Sequence, residues 1–214
     1  MMEFAGLVKT VMNLKEDIKV RRAVERRLRE FEFIGRSDKR VWFREMAFCL
    51  LAANFSAVRA YRIALGLERS GLLFSGKEDK IASYLKLMGH RFYNTRAAFI
   101  VGARSKLDCV YNKVPRLRDF EAREWLRKEI RGFGMKEASH FLRNIGRKDL
   151  AIIDRHVLRM MIKHGVISNI PRVLTRKRYL LLEDKLREIA RLCDASLAEL
   201  DLYLWYSEKG FVFR

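Results

Sequence analysis

The chain has 214 residues, half of them hydrophobic, with 45 Lys and Arg against 26 Asp and Glu and a formal net charge of +19. Two prolines and no low-complexity tract argue against long linkers, so one globular unit or two small lobes with a real core is expected. So large a basic excess favours a polyanionic partner, nucleic acid first, although much of it reads most simply as solvated surface. No apolar run is long enough to span a membrane, and Met1-Met2-Glu3-Phe4-Ala5-Gly6 lacks the form of a signal peptide, so an intracellular location without a membrane partner is expected. The three cysteines, Cys49, Cys109 and Cys193, are far apart and odd in number, which suggests neither a disulfide framework nor a zinc site.

The pattern is helical nearly throughout, with no β-alternation and no internal repeat, so an all-α fold is expected. Val20, Val24, Leu28 and Phe31 form the apolar stripe of a helix that stops at Gly35, and Arg21, Arg22, Arg26, Arg27 and Arg29 read as its solvated face. Ser37-Asp38 can cap a helix from about Lys39 to Asn54 whose centre is apolar all round, as in a buried helix. Asn54 ends it, and Ser56 can cap the next helix, toward Leu65. Ser75-Gly76-Lys77-Glu78 has the form of a capping box before Ile81, Tyr84, Leu85 and Met88, closed by Gly89. His90-Arg91-Phe92-Tyr93-Asn94 then leads a long helix through Ala97, Ile100 and Val101 toward Leu107. Asp119 can cap a helix with Phe120, Trp125 and Ile130 inward.

That helix runs to Gly132. Phe133 follows alone, then Gly134, and a second helix starts near Met135 with Ala138, Phe141, Leu142 and Ile145 at helical spacing. Gly146 stands where a C′ glycine would. The arrangement is a helix-hairpin-helix. Its glycines allow a tight turn and close backbone approach, and its amides at a helix N-terminus suit a DNA phosphate. Lys136 falls in the first turn of the second helix, where the dipole disfavours a cation and shielding from water favours the neutral, nucleophilic amine. A phosphate contact is the plainer role for such a lysine. Downstream, Ile152-Ile153 carries the chain inward and Asp154 reads as an N-cap, hence an ionised carboxylate able to steady a cation-like sugar. His156 reads as structural, and no metal ligands and no cofactor are expected. A helix to about His164 stops at Gly165, Thr175 can cap the next, through Leu192, and Ser196 with Glu199 forms a capping box for a last helix that Gly210 stops.

Gly132-Phe133-Gly134, Lys136 and Asp154 together resemble the helix-hairpin-helix DNA glycosylase superfamily. The stretches Phe48–Ala57, His90–Ala97, Gly134–Asn144 and Asp201–Tyr206 are similar to one branch of it, the short archaeal-type 8-oxoguanine DNA glycosylase/AP lyases. The resemblance spans most of the chain in order. It implies a two-lobed fold, with residues 1–36 and 147–214 in one lobe, residues 37–146 in the other and the active site between them. The iron–sulfur cluster of other branches is not expected, because only Cys193 follows Asp154. The implied enzyme is a bifunctional N-glycosylase and AP lyase, a monomer acting on double-stranded DNA that contains 8-oxoguanine or abasic sites. Lys136 and Asp154 would be catalytic, and the backbone at Gly132 and Gly134 would hold phosphate with a monovalent cation. Phe92 and Trp205 would stack on a flipped base, although a core place is the plainer reading of each. Arg214, where the family pattern has lysine, would bring the chain's terminal carboxylate to the N–H groups of the oxidised guanine. Asn54 is a lesser candidate for filling the vacated space in the duplex. The rivals are a non-enzymatic helix-hairpin-helix DNA-binding module and a glycosylase for another damaged base, alkylated or a pyrimidine.

Overall fold

The computed structural model of the chain describes residues 4–214; the Met1-Met2-Glu3 part of the start read above lies outside them. Among the described residues the secondary structure is helical without strands. In order the helices are α1 (Ala5–Glu16), α2 (Ile18–Gly35), α3 (Lys39–Ala52), α4 (Ala57–Arg69), α5 (Leu72–Ser75), α6 (Glu78–Leu87) and α7 (Tyr93–Ser105). They continue with α8 (Leu107–Lys113), a 3-10 turn at Val114–Arg116, α9 (Asp119–Glu129), α10 (Met135–Asn144), α11 (Arg155–Lys163), α12 (Arg176–Leu192) and α13 (Leu197–Lys209). The all-α expectation therefore holds.

The N-caps at Asp38, Ser56, Thr175 and Ser196 form as the sequence suggests. Four details differ. Ser75 does not open α6: it ends the short α5, and its hydroxyl donates back to the Gly71 carbonyl at 3.1 Å, a bond available only inside a helical turn. The helix expected from His90 begins at Tyr93 and stops at Ser105, and Leu107 starts a separate helix. Arg118, not Asp119, is the N-cap of α9, because Glu121 accepts the Arg118 N–H at 3.1 Å. Within α9, Phe120 is 48% exposed and Arg123 takes the inward place. The Arg123 guanidinium lies 5.4 Å from the Phe120 ring centroid and donates to Ser139 Oγ on α10 at 3.3 Å, so an arginine joins the two hairpin helices. Helix α1 was not foreseen; Leu7 and Val11 are its buried pair.

The chain divides into two compact units, one made of the chain up to Phe33 and from Gly146 onward, the other of Ile34–Ile145. The second unit is built on α3, buried from Glu45 through Ala52, with α4, α7, α8 and α10 packed on it. Glu45 is fully buried there and accepts from Asn144 Nδ2 at 2.9 Å, which fastens the end of α10 to α3.

The first unit gathers α1, α11 and α12 around α13. Its irregular stretch Leu150–Ile153 is buried. A buried stretch without a helix must find partners for its amides elsewhere. Helix α12 supplies them: Glu183 Oε1 accepts the Ala151 N–H at 2.8 Å, and the Tyr179 hydroxyl accepts from Ile153 N at 3.2 Å and donates to Ala151 O at 2.7 Å. Replacing Tyr179 by Phe strands one buried amide and one buried carbonyl. Y179F is expected to lose about 1–3 kcal/mol in urea denaturation, and a variant as stable as the parent would show that this bridge holds nothing.

Candidate active site

Lys136, Gly132, Gly134 and Phe92 lie in the second unit; Asp154, Trp205 and Arg214 lie in the first. Helix α9 ends at Glu129, three residues earlier than the glycine suggests, and Ile130 to Gly134 form the turn. Phe133 N–H donates to Ile130 O at 3.0 Å. Gly132 has φ 95°, and a Cβ there would collide with the Phe99 ring and stand 2.9 Å from Leu50. Only glycine fits, both for the backbone angle and for the packing. Phe133 is buried against Phe141 of α10, ring centroids 6.0 Å apart, so the single apolar residue between the glycines anchors the turn.

Gly134 has an ordinary φ of −94°. Its amide donates to Glu137 Oε2 at 3.1 Å, which closes the first turn of α10 from within. Lys136 sits in that turn with its side chain 20% exposed, and its Nζ is 3.8 Å from Glu137 Oε1. The carboxylate that closes the turn thus also faces the lysine. Beneath them lies Cys49 of α3, fully buried; burial pushes its thiol pKa up, Glu45 adds to this, and the charge of Lys136 opposes it.

In the first unit Asp154 is the N-cap of α11 and accepts His156 N–H at 2.8 Å and Val157 N–H at 2.9 Å, both through Oδ1. Oδ2 takes no hydrogen bond among the described residues, so capping leaves half of the carboxylate available. His156 Nδ1 lies 2.7 Å from Glu208 Oε1, and its ring meets Trp205 edge-on at 5.7 Å. Trp205 is half-buried, with Phe213 at 6.0 Å and Phe211 at 6.4 Å between ring centroids. Its indole Nε1 is buried and has no partner among the described residues. The tail after Gly210 therefore folds back on Trp205 rather than fraying, and Arg214 at its end is only 8% exposed. Asp154, His156, Trp205 and the tail form one continuous group.

Phe92 is 42% exposed at the N-cap of α7, with Arg91 and Arg96 5.4 Å and 6.0 Å from its ring centroid. It is not core. Beside it, His90 is buried, with Nε2 3.0 Å from Leu51 O and Nδ1 accepting the Phe92 N–H at 3.2 Å. An Nδ1 that accepts leaves the proton on Nε2, which donates to Leu51. Sequence reading did not single out Arg96, Tyr179, Glu183 or Glu45. Their signal is weak, since a charged or hydroxyl residue on an amphipathic helix normally faces water. Among the described residues no group of His, Cys, Asp and Glu side chains suits a metal ion.

A protein-family profile described as 8-oxoguanine DNA glycosylase, Ogg-HhH, matches residues 24–195. The chain belongs to this 8-oxoguanine DNA glycosylase family. An 8-oxoguanine DNA glycosylase/AP lyase of Korarchaeum cryptofilum is 46% identical over 209 residues, 97% of this chain and 98% of that protein. The crystal structure of the Methanocaldococcus jannaschii 8-oxoguanine glycosylase/lyase in complex with a 15mer DNA containing 8-oxoguanine matches with a TM-score of 0.92 at 38% identity, covering 97% of this chain and 99% of that one. The Thermotoga maritima 8-oxoguanine DNA glycosylase matches with a TM-score of 0.91 at 39% identity over the whole of both chains. The helix-hairpin-helix of this glycosylase family is thus the Asp119–Asn144 segment of the second unit.

His90 gives the second unit of this glycosylase a pH dependence. Burial pushes its pKa below the ordinary value, the Leu51 hydrogen bond opposes this, and Arg96, Arg59 and Arg91 add to it. A depressed imidazole binds its proton less readily when folded than when unfolded. Its contribution to stability is whole above about pH 6.5 and is lost as pH falls from there through the folded-state value. Burial and Lys163 depress His164 of the first unit in the same sense. Thermal midpoints measured from pH 8 to pH 5 are expected to fall on the acid side, and to fall less in H90Q. An equal fall in H90Q would place the acid sensitivity elsewhere.

Proposed function

We propose that Lys136 is the nucleophile and Asp154 the electrostatic partner of a bifunctional 8-oxoguanine DNA glycosylase/AP lyase. The observation that carries this reading is the start of α10. Its turn offers the amides of Met135 and Lys136 without an internal acceptor, and it holds a partly shielded lysine one residue inside the helix. Backbone amides at a helix N-terminus bind a phosphate oxygen, so the nucleic-acid backbone is fixed beside the amine. The carbonyls of Arg131, Gly132 and Phe133 accept no hydrogen bond among the described residues. Hard oxygen donors of this kind would hold a monovalent cation, which would supply positive charge toward a bound phosphate.

The base must leave the stack before chemistry, and the damaged nucleotide is turned out of the duplex. Lys136 Nζ then forms a bond to C1′ as the N-glycosidic bond breaks, and the bonding pair leaves with the base, which takes up a proton. The sugar opens to a Schiff base on Nζ. Removal of a C2′ proton follows, and the 3′ phosphate departs with its electron pair, cutting the strand. Positive charge builds on the sugar in the first step and on the imine in the second. Asp154 Oδ2, free while Oδ1 caps α11, is the group that stabilises it. Phe92 and Trp205 provide aromatic faces for the extruded purine, at about 1–3 kcal/mol for each stacked base. The tail behind Trp205, ending in Arg214, reads the base edge.

Lys136→Gln is expected to abolish base release and strand cleavage together, and with them the borohydride-trapped adduct, while DNA affinity changes little. Asp154→Asn keeps a capping oxygen but loses the charge, and is expected to slow single-turnover excision by about a hundredfold or more. A trapped adduct in K136Q would move the nucleophile to another amine.

Deletion of Arg214 is expected to reduce 8-oxoguanine excision far more than cleavage at a preformed abasic site, which has no base to read. Equal losses on the two substrates would make the tail a structural element only.

A further inference from the structure

Helix α3 ends in the second unit beneath the exposed Asn54, and the carbonyls from Leu51 to Asn54 are all taken. Ala52 O accepts Phe55 N–H at 3.2 Å. The other three accept from side chains of α7 and of the segment that leads into it. His90 Nε2 reaches Leu51 O at 3.0 Å, Arg96 Nη2 reaches Ala53 O at 3.1 Å and Arg91 Nη2 reaches Asn54 O at 2.9 Å. Arg59 ties the loops a fourth time, donating to Met88 O at 3.2 Å. Basic side chains do close helix C-termini, but two features here exceed that task.

The first is Asn54, which holds φ 58° without being glycine. Asparagine is one of the few non-glycine residues that takes this left-handed conformation readily, and here it forms the exposed tip of the loop that the three basic side chains close. The second is Arg96. It is 8% exposed, its Nε is buried without a partner, and burial pulls its pKa down against the attraction of Glu137. Burying a guanidinium is costly, and a surface arginine such as Arg91 already shows that a carbonyl can be capped without it. What burial adds is reach. The Arg96 guanidinium lies 6.0 Å from the Phe92 ring centroid and 5.5 Å from that of Phe99. Phe99 is the ring that excludes a Cβ at Gly132. Glu137, the charge Arg96 senses, is the carboxylate that closes the hairpin turn and faces Lys136.

We propose that Arg96 is a positioning residue that locks the Asn54 loop, Phe92 and the hairpin turn into one edge, so that they meet a duplex together as the damaged nucleotide is turned out. The inference rests on the assignment of Phe92 to the extruded base. Arg96 touches no reacting atom. Its work lies in extrusion, where the duplex must be held open, and not in Schiff-base chemistry at a sugar that has no base to unpair. Planarity and the fork of donors matter as well as charge, because one guanidinium bonds Ala53 O while lying between two rings. Lysine supplies a point charge and cannot do both.

The test compares R96M and R96K with the parent in three readouts. These are the fluorescence of 2-aminopurine placed beside 8-oxoguanine, single-turnover excision of 8-oxoguanine, and borohydride trapping at a preformed abasic site. Both variants are expected to lose the fluorescence rise and about a hundredfold in excision, with trapping near the parental rate. N54A and F92A are expected to show the same split. Should R96M fold poorly, R96K carries the comparison, and its excision at the parental rate overturns the proposal. So does an equal loss of excision and trapping. If N54A and F92A show the split and the Arg96 variants do not, the lock alone fails. If F92A excises at the parental rate, the assignment of Phe92 fails and takes the lock with it.

Discussion

A helix leaves amide N–H groups bare at its start and carbonyls bare at its end, and a chain made of short helices must place all of them. Several helix starts among the described residues are closed locally. Asp38, Ser56, Thr175 and Ser196 each turn a side-chain oxygen onto the amides that follow. The end of α3 is closed from a distance by His90, Arg91 and Arg96. Two starts bear on the proposed chemistry. At α10 the cap position is a glycine, and no side chain at that position caps the amides behind it. At α11 the cap is a carboxylate that spends one oxygen on the helix and keeps the other. The amine and the carboxylate of the proposed chemistry sit at these two starts.

Placing a group at a helix start fixes it only as well as the chain before it is fixed. For Lys136 that chain is the turn from Ile130 to Gly134, anchored by Phe133 and by the contact between Gly132 and Phe99. For Asp154 it is the buried run from Leu150 to Ile153, whose amides are held by Tyr179 and Glu183 of α12. Both approaches are short, buried and free of repetitive structure. Small shifts in reacting groups lose large factors in rate, so under the proposed chemistry the packing of Phe99 and the bonds of Tyr179 would matter to rate although neither residue touches the reacting atoms.

Features governed by neighbours in sequence were legible from the sequence, and features governed by distant side chains were not. Caps at Asp38 and Ser196 act over three residues and read correctly. So did the C′ glycine Gly146, with φ 92°, and the hairpin itself. Ser75 failed because it closes the last turn of the unforeseen helix α5, where its hydroxyl donates to the Gly71 carbonyl. Phe120, expected inward, is exposed while Arg123 is buried, where Ser139 on another helix accepts from its guanidinium. Lys136 and Asp154 stood out by motif and spacing. Arg96 and Tyr179 did not, because an arginine or a tyrosine on an amphipathic helix carries no local sign that its partner lies far along the chain.

The burial of the cysteines has a consequence of its own. Oxidants consume thiolate rather than thiol, so a sulfur is vulnerable in proportion to how readily it ionises and how easily it is reached. Cys49 lies fully enclosed beneath the hairpin and Cys193 is enclosed near the end of α12, and burial raises the pKa of both. Cys109, on α8, is the exposed one. Guanine becomes 8-oxoguanine where oxidants are abundant, and an enzyme that excises it meets the same oxidants. The sulfur beneath Lys136 is thus chemically quiet, and the helix beneath the hairpin is insulated from the damage whose product the protein removes.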